Sequence, residues 1–323
     1  MDAVATDGGG GLHHAHHVHA RLEHLVGDDQ THVARAHHHH PGAGLDVVQV
    51  HHGLGRAGGH DAGQGGALKA EVVLVGAGGD DDLLGLDGLD AVGAPQAGFE
   101  MRCVNRIPHG GGMGSSASAA VAGLMLARGL IAEPEALSDD RIFALATDFE
   151  GHPDNVAPAM LGGFVTSVID EGQVYSVKKD IDPELAFAAF VPDFRLLTSK
   201  ARAALPAMVS HKDAVYNLSR AALATAAFCE GNYALLGVAT KDVLHQKYRL
   251  PLIEGGDDVF ELAQDLGAQA VYISGAGPTI MAVVHKDDTE FFTRAEAALA
   301  ADSPLHHFTV HRLLADNVGA VVS

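Results

Sequence analysis

The run Pro108-His109-Gly110-Gly111-Gly112-Met113-Gly114-Ser115-Ser116-Ala117-Ser118 combines glycines and hydroxyls in a way that suits a bound anion. Glycine opens the backbone N–H groups to close approach, because no Cβ stands in the way. The residues that follow, Ala119 to Arg128, are rich in strong helix formers. A helix that starts at the serines aims its unpaired N–H groups and the positive end of its dipole into the loop. Phosphate is the ligand these features favour, with Ser115 and Ser116 as donors or as ligands of a Mg2+ ion. A plainer structure fits the same residues, a helix with a glycine turn and a serine cap. The run is not a Walker loop, since no Lys-Ser or Lys-Thr pair closes it, and it is not a Gly-x-Gly-x-x-Gly fingerprint followed by a distant acid. Asp148 and Glu150 are the next oxygen donors that could serve a Mg2+ ion, which takes hard ligands and keeps several waters. Two residues apart on a helix, they do not face the same way. An ordinary solvated helix end is the alternative for each.

Three stretches carry a family resemblance. Pro108 to Ala117 resembles the phosphate-loop signature of the GHMP small-molecule kinases, Pro-x-x-x-Gly-Leu-Gly-Ser-Ser-Ala, with Met113 in the leucine place. Glu150-Gly151-His152-Pro153-Asp154-Asn155-Val156-Ala157-Pro158-Ala159, followed by Leu161-Gly162-Gly163-Phe164, resembles the central motif of the homoserine kinases within that superfamily. Ser274-Gly275-Ala276-Gly277-Pro278-Thr279 is similar to the third GHMP motif. The stretches fall in family order, and the resemblance runs from about residue 98 to the C-terminus.

The resemblance implies ATP and Mg2+ as cofactors and L-homoserine as substrate. The reaction would be phosphorylation of the homoserine hydroxyl to O-phospho-L-homoserine, on the route to threonine. Pro108 to Ser118 would hold the nucleotide. Ser116 and Asp148 would carry the catalytic roles, and Ser116, Asp148 and Glu150 the metal, with Asp148 one methylene shorter than the family's glutamate. Asn155, Thr198, Arg202, Arg249 and Gly275 would bind the substrate, the planar arginine forks matching a carboxylate. His152 would shape the turn before Pro153, and no side chain is assigned as a base. Two other readings stand beside this one: a GHMP kinase of mevalonate or a sugar, and a non-catalytic chimeric or truncated relic.

The elements that must position these residues follow from the patterning. A strand over about 99–107 leads into the loop, and a helix leaves it and ends near Leu130. Ser138 caps a second helix that turns Ile142, Phe143, Leu145 and Ala146 inward and reaches Asp148 and Glu150. A short helix at Asn155 to Met160 precedes a hairpin, Phe164 to Ile169 and Val174 to Val177, turning at Glu171-Gly172. Ala186 to Pro192 reads as a buried strand. Beyond it lie a helical stretch at Ser199 to Ala204 and a long helix at Asp213 to Cys229, with Val215, Leu218, Ala222, Leu223 and Ala226 on one face. Tyr233 to Ala239 and Val243 to Lys247 continue it, and Phe260 to Leu266 and Phe291 to Leu299 are further helices. Strands at Ala270 to Ser274, Ile280 to Val284 and Phe308 to Leu313 complete an α+β fold. The class expected is a GHMP kinase-like two-domain α/β sandwich. Residues 98–190 form the ATP-binding part of the first domain and 191–323 the second.

Residues 1–97 read differently. Histidines crowd this segment, His37 to His40 in one unbroken run, among Gly, Ala and Asp. The family's opening strand motif, close to Pro-Ala-Thr-Ser-Ala-Asn-Leu-Gly-Pro-Gly-Phe-Asp, has no counterpart here. A zinc-binding tract, a disordered low-complexity arm and a product of a shifted reading frame are the three readings. Short strands are expected near 47–50 and 71–75. The formal charge of -20 speaks against nucleic acid and anionic membranes as partners. No apolar run nears the ~20 residues of a membrane span, and no secretory signal is visible, so a cytoplasmic protein is expected. Cys103 and Cys229 read as reduced core residues, and the chain could form a homodimer.

Overall fold

The computed structural model describes residues 17–19, 46–49, 51–57, 65–69, 71–74, 89–93, 101–104, 106–108, 110–301 and 303–322. Among the described residues six strands precede the loop: β1 (His17–His19), β2 (Asp46–Gln49), β3 (His51–Ala57), β4 (Gly65–Lys69), β5 (Glu71–Leu74) and β6 (Met101–Val104). β2 and β5 fall where strands were expected. β6 pairs antiparallel with β5, Glu71 opposite Val104, and leads the chain to the loop.

Helix α1 (Ser115–Leu130) leaves the loop, and its buried stripe of Ala, Val and Leu is the spine of the first core. Ser138 caps α2 (Asp139–Glu150) by accepting the Arg141 N–H at 3.3 Å. Gly151 ends it in the left-handed region, its N–H donating to Thr147 O at 2.8 Å. Ile142 and Ala146 are buried, with Phe143 and Leu145 packed beside them, as the patterning required. α3 (Val156–Leu161) follows, then the hairpin β7 (Phe164–Asp170) and β8 (Gln173–Lys179), which turns at Glu171 and Gly172.

β9 (Leu185–Pro192) is buried along its whole length. Its side chains alternate between two cores, as a strand's must. Ala186, Ala188 and Phe190 join one; Leu185, Phe187, Ala189 and Val191 join the other. The rest of the chain runs through α4 (Thr198–Ala203), α5 (His211–Glu230), α6 (Leu236–Ala239), α7 (Gln246–Arg249), α8 (Gly256–Asp265), β10 (Ala270–Ile273), β11 (Ile280–His285), α9 (Thr289–Ala301) and β12 (Phe308–Leu314). The central sheet has the order β10-β11-β9-β12-β3-β4, and every neighbouring pair is antiparallel. Val259 and Ala263 of α8 and Phe291 and Ala295 of α9 cover one face, while Ala227 and Phe228 of α5 and Leu236 of α6 cover the other.

Three expectations are corrected. On α5 the apolar face that the periodicity picks out is mostly turned to solvent: Val215 is 51% and Leu218 72% exposed, Ala222 and Ala226 are exposed too, and Leu223 is half-buried. The contact is made instead at the helix's C-terminal end, where Phe228 stacks on Phe164 with ring centroids 4.2 Å apart. An alanine-rich helix is apolar on more than one side, so periodicity alone does not choose the face. Cys229 is exposed rather than buried, for the same reason; it carries a free thiol, and the side chain of Cys103 lies outside the described residues. The helix expected over 243–247 begins only at Gln246, after Asp242 has accepted the N–H groups of His245 and Gln246 at 2.6 and 2.7 Å.

Candidate active site

The loop from Gly110 to Gly114 rests on the segment between β10 and β11. Ser274 Oγ donates to Gly112 O at 2.9 Å, and Thr279 N donates to Gly111 O at 3.2 Å. Gly112 shows why glycine is needed here. Its φ is +79°, and a Cβ would stand 2.2 Å from Ser274 O and 2.8 Å from Gly277 O. No side chain fits, so the two loops touch backbone to backbone. Gly114, at φ 72°, opens α1 without any side-chain cap, and its carbonyl accepts the Ser118 N–H at 3.0 Å. The first turn of α1 holds no acidic residue. The helix end therefore presents uncapped N–H groups and positive potential, the conditions an anion needs.

Pro108 braces the loop from the other side, its carbonyl accepting the Gly111 N–H at 3.3 Å. Met113 packs against the core that holds Phe187 and Phe228, while Ala117 and Ser118 are buried in α1. Ser115 is partly buried at the helix start. His109 lies outside the described residues. Thr279 is fully buried, and its hydroxyl finds no hydrogen-bond partner among the described residues. The patterning singled out Thr279 only as the last residue of a motif.

Ser116 and Glu150 meet: Ser116 Oγ donates to Glu150 Oε1 at 2.5 Å. Asp148 is exposed, one turn position away from that contact, as the two-residue spacing required. Asn155 stands at the start of α3 with its side chain free of any capping bond, and its Oδ1 would be 3.4 Å from a Cβ on Gly114. His152 Nδ1 is 2.5 Å from Asp154 Oδ1, so the imidazole is turned to its own loop.

Arg249 of α7 reaches the same place, and Arg202 of α4 lies close enough to act on its charge. Arg249 donates from NH1 to Gly275 O at 3.0 Å and from Nε to Ala201 O at 3.4 Å. Gly275 in turn faces the loop, for a Cβ on it would lie 2.9 Å from Gly112 O. Burial and then the nearby positive charge of Arg202 push the Arg249 guanidinium below its usual value. Two cations held this close favour an anion between them. The Arg202 side chain is exposed and makes no hydrogen bond or ion pair among the described residues, and Thr198 is exposed at the start of α4.

A scaffold that patterning did not reveal holds Arg249. Asn217 Nδ2 donates to Asp242 Oδ2, and Asn217 Oδ1 accepts the Val243 N–H at 3.0 Å. Gln246 Oε1 accepts the Ile273 N–H at 2.8 Å, next to Ser274. Burial acts to raise the Asp242 carboxyl, but the N–H groups of Gln246 and His245 and the Asn217 amide outweigh it, and the net direction is down. His245 lies 3.4 Å from Arg249 NH1 and is held below its usual value, first by burial and also by the Arg249 charge.

The residues present fit both groups that the loop calls for. The glycine loop, fixed in place by its backbone contact with Ser274 and Gly277, and the uncapped helix start suit a polyphosphate. The adjoining hydroxyl and carboxylate of Ser116 and Glu150 are hard oxygen donors of the kind Mg2+ takes.

Comparison with known proteins bears on the whole arrangement. The family model described as GHMP kinases N terminal domain matches residues 86–163, and the one described as GHMP kinases C terminal matches residues 224–299. The chain is 40% identical over 234 residues to a homoserine kinase of Clostridium beijerinckii, covering 72% of this chain and 77% of that one. It is 41% identical over 233 residues to a homoserine kinase of Caldicellulosiruptor bescii, covering 72% and 75%. The crystal structure of homoserine kinase from Cytophaga hutchinsonii superposes with a TM-score of 0.64 at 26% identity, over 75% of this chain and 77% of that one. The L. major mevalonate kinase, solved in complex with R-mevalonate, shares the fold at a TM-score of 0.55 and 15% identity, over 73% and 77%. The fold is thus the α+β GHMP kinase fold, and no helix among the described residues is long and apolar enough to cross a membrane. With matching motifs, matching domains and relatives covered over most of their length, the chain belongs to the homoserine kinase family of the GHMP kinases.

Proposed function

We propose that this protein transfers the γ-phosphoryl group of ATP to the side-chain hydroxyl of L-homoserine, yielding ADP and O-phospho-L-homoserine. One observation carries the reading. Gly275 touches the anion-binding loop through Gly112 and accepts from Arg249 through its own carbonyl. A phosphate cradle and a carboxylate-seeking arginine pair therefore share one wall. A substrate with a carboxylate at one end and a hydroxyl at the other spans that wall, and its hydroxyl is delivered to the phosphate side.

The chain's own residues divide the work. The N–H groups of the loop and of the first turn of α1 hold the phosphates, and Ser116 with Glu150 would hold Mg2+. Bound Mg2+ supplies neutralisation of phosphate charge. Asp148 stays in the solvated position at the end of α2, so Glu150 is the better placed of the two acids. Arg202 and Arg249 hold the substrate carboxylate, and Asn155 and Thr198 hold its polar groups. The homoserine oxygen attacks the γ-phosphorus, the bond from that phosphorus to the β,γ-bridging oxygen breaks, and ADP leaves with those electrons. The hydroxyl proton passes to a phosphate oxygen or to water. His152, turned to Asp154, is not assigned as its acceptor. Positioning and charge supply the rate.

A coupled ADP-release assay with ATP, Mg2+ and a panel of L-homoserine, mevalonate and sugars tests this. Turnover of homoserine above the rest is expected; preference for mevalonate or a sugar overturns the substrate assignment. A second reading has its own observation: the family match begins only at residue 86. A non-catalytic relic would show no thermal stabilisation by Mg-ATP. We further propose a cytoplasmic enzyme, with two-copy association to be read from sedimentation.

A further inference from the structure

The turn between β9 and α4 carries a cation that the reading above leaves without a task. Arg195 is pinned by its neighbours. Asp193 N donates to His307 O at 2.9 Å, and Leu196 is buried in the core that holds Phe190 and Phe291. Between these two anchors the Arg195 side chain is exposed, and it makes no hydrogen bond or ion pair among the described residues. Its stem nevertheless lies against the phosphate loop. Its Cβ, Cγ and Cδ are 3.6, 3.8 and 3.9 Å from the place where a Cβ would stand on Gly110.

Gly110 is the exposed outer lip of that loop, at φ +65°. Nothing in the run from Pro108 to Ser118 is a lysine or an arginine. Phosphoryl transfer gathers charge on the γ-phosphate oxygens, and enzymes meet it with fixed cations as well as with N–H groups. Arg202 and Arg249 are taken up at the Gly275 side, and Arg195 is the cation whose stem follows the loop itself.

We propose that Arg195 binds the polyphosphate of ATP from the Gly110 side of the loop. The inference rests on the kinase reading and adds to it. The stretch 195–202 then carries two arginines with separate charges to meet, Arg195 the nucleotide and Arg202 the substrate carboxylate. A guanidinium suits the task, since its planar fork reaches two phosphate oxygens at once.

The test uses the full chain and three proteins: wild type, Arg195→Gln and Arg195→Lys. Binding of Mg2+ with a non-hydrolysable ATP analogue is measured by calorimetry at low and high salt, and steady-state kinetics are run against ATP and against homoserine. Arg195→Gln is expected to weaken the analogue and raise the KM for ATP by about tenfold, the scale of one hydrogen bond to a charged group. Its homoserine KM should stay within about twofold and its salt dependence should flatten. Arg195→Lys should recover part of the loss. Thermal melting should be unchanged, because the side chain is exposed. Equal nucleotide affinity and equal salt dependence in wild type and Arg195→Gln overturn the proposal while leaving the kinase reading intact. A wild-type protein that ignores the nucleotide removes both.

Discussion

In the role proposed for it, Ser116 would serve two partners in turn. In the structure its hydroxyl donates to Glu150 at 2.5 Å. To hold Mg2+ it must offer a lone pair instead, while Glu150 offers its carboxylate to the same ion. Ser116→Ala removes the hydroxyl and leaves Glu150 without its donor. Turnover should fall by about 100-fold, the scale seen when one preorganised group at a transition state is lost, while the melting temperature barely moves, because the side chain is exposed. Glu150→Gln should raise the Mg2+ concentration needed for half-maximal rate, and Asp148→Asn should not. A Mg2+ titration of all three variants measures this, and the reverse order would move the metal role to Asp148. Arg202 has a different signature. Without it Arg249 faces the substrate carboxylate alone, and losing one partner of a charged pair costs about 2 kcal/mol or more. Arg202→Ala should raise the homoserine KM about 30-fold with the KM for ATP unchanged. A rise for ATP alone would detach Arg202 from the carboxylate.

At the scale of elements, the site is a junction between two loops, and Gly112 is its tightest point. Gly112→Ala puts a methyl group 2.2 Å from Ser274 O and keeps a left-handed backbone. The conformation alone costs about 1–2 kcal/mol, and the clash forces the loops apart. Both the melting temperature and ATP affinity should drop, and a variant with normal ATP affinity would show that the junction does not shape the cradle. A second element carries pH dependence. Inside the protein His245 is kept neutral below its ordinary value of 6.5, by burial and by Arg249. The unfolded chain therefore takes up the proton first, and stability falls as pH drops from above 6.5 through that window. Asp242, itself held low, adds its own loss at more acid pH, below its ordinary 3.8. Melting temperatures across pH 5 to 8 should decline on the acid side, and His245→Asn should flatten the upper part of that decline. These elements differ in how far the sequence reveals them. The strand-loop-helix order around Gly112 is legible because glycine, serine and helix propensity are local properties. The bracket of Asn217, Asp242 and Gln246 around Arg249 is not, because its side-chain bonds join residues 25 and 27 positions apart. Arg195 left no signal either, since its meaning comes only from lying across Gly110 in space.

On the scale of the whole molecule, the glycine loop lies between α1 and the segment joining β10 to β11, in a chain of net charge -20. Distant charge is screened beyond ~10 Å at 0.1 M salt, so the local N–H groups and arginines decide what binds. Mg-ATP at 100 times its dissociation constant should stabilise the fold by about 2.7 kcal/mol. The acceptor side is expected to be weaker. The family's opening motif contributes substrate contacts, and residues 1–97 hold no counterpart of it. Patterning placed the resemblance from about residue 98, and the family model begins at residue 86. We propose that the preceding text comes from a shifted reading frame. Translation of the other frames of the gene should then recover the opening motif, and a clean single-frame gene would remove the idea. The same proposal makes a kinetic prediction. Replacing the segment with the corresponding opening of the Clostridium beijerinckii homoserine kinase adds contacts to the acceptor and none to the loop of Pro108 to Ser118. The homoserine KM should fall at least tenfold while the KM for ATP and the Mg-ATP stabilisation stay where they were. If ATP affinity rose along with homoserine affinity, the opening segment would be shaping the cradle as well. If neither changed, residues 1–97 would already supply what the site needs.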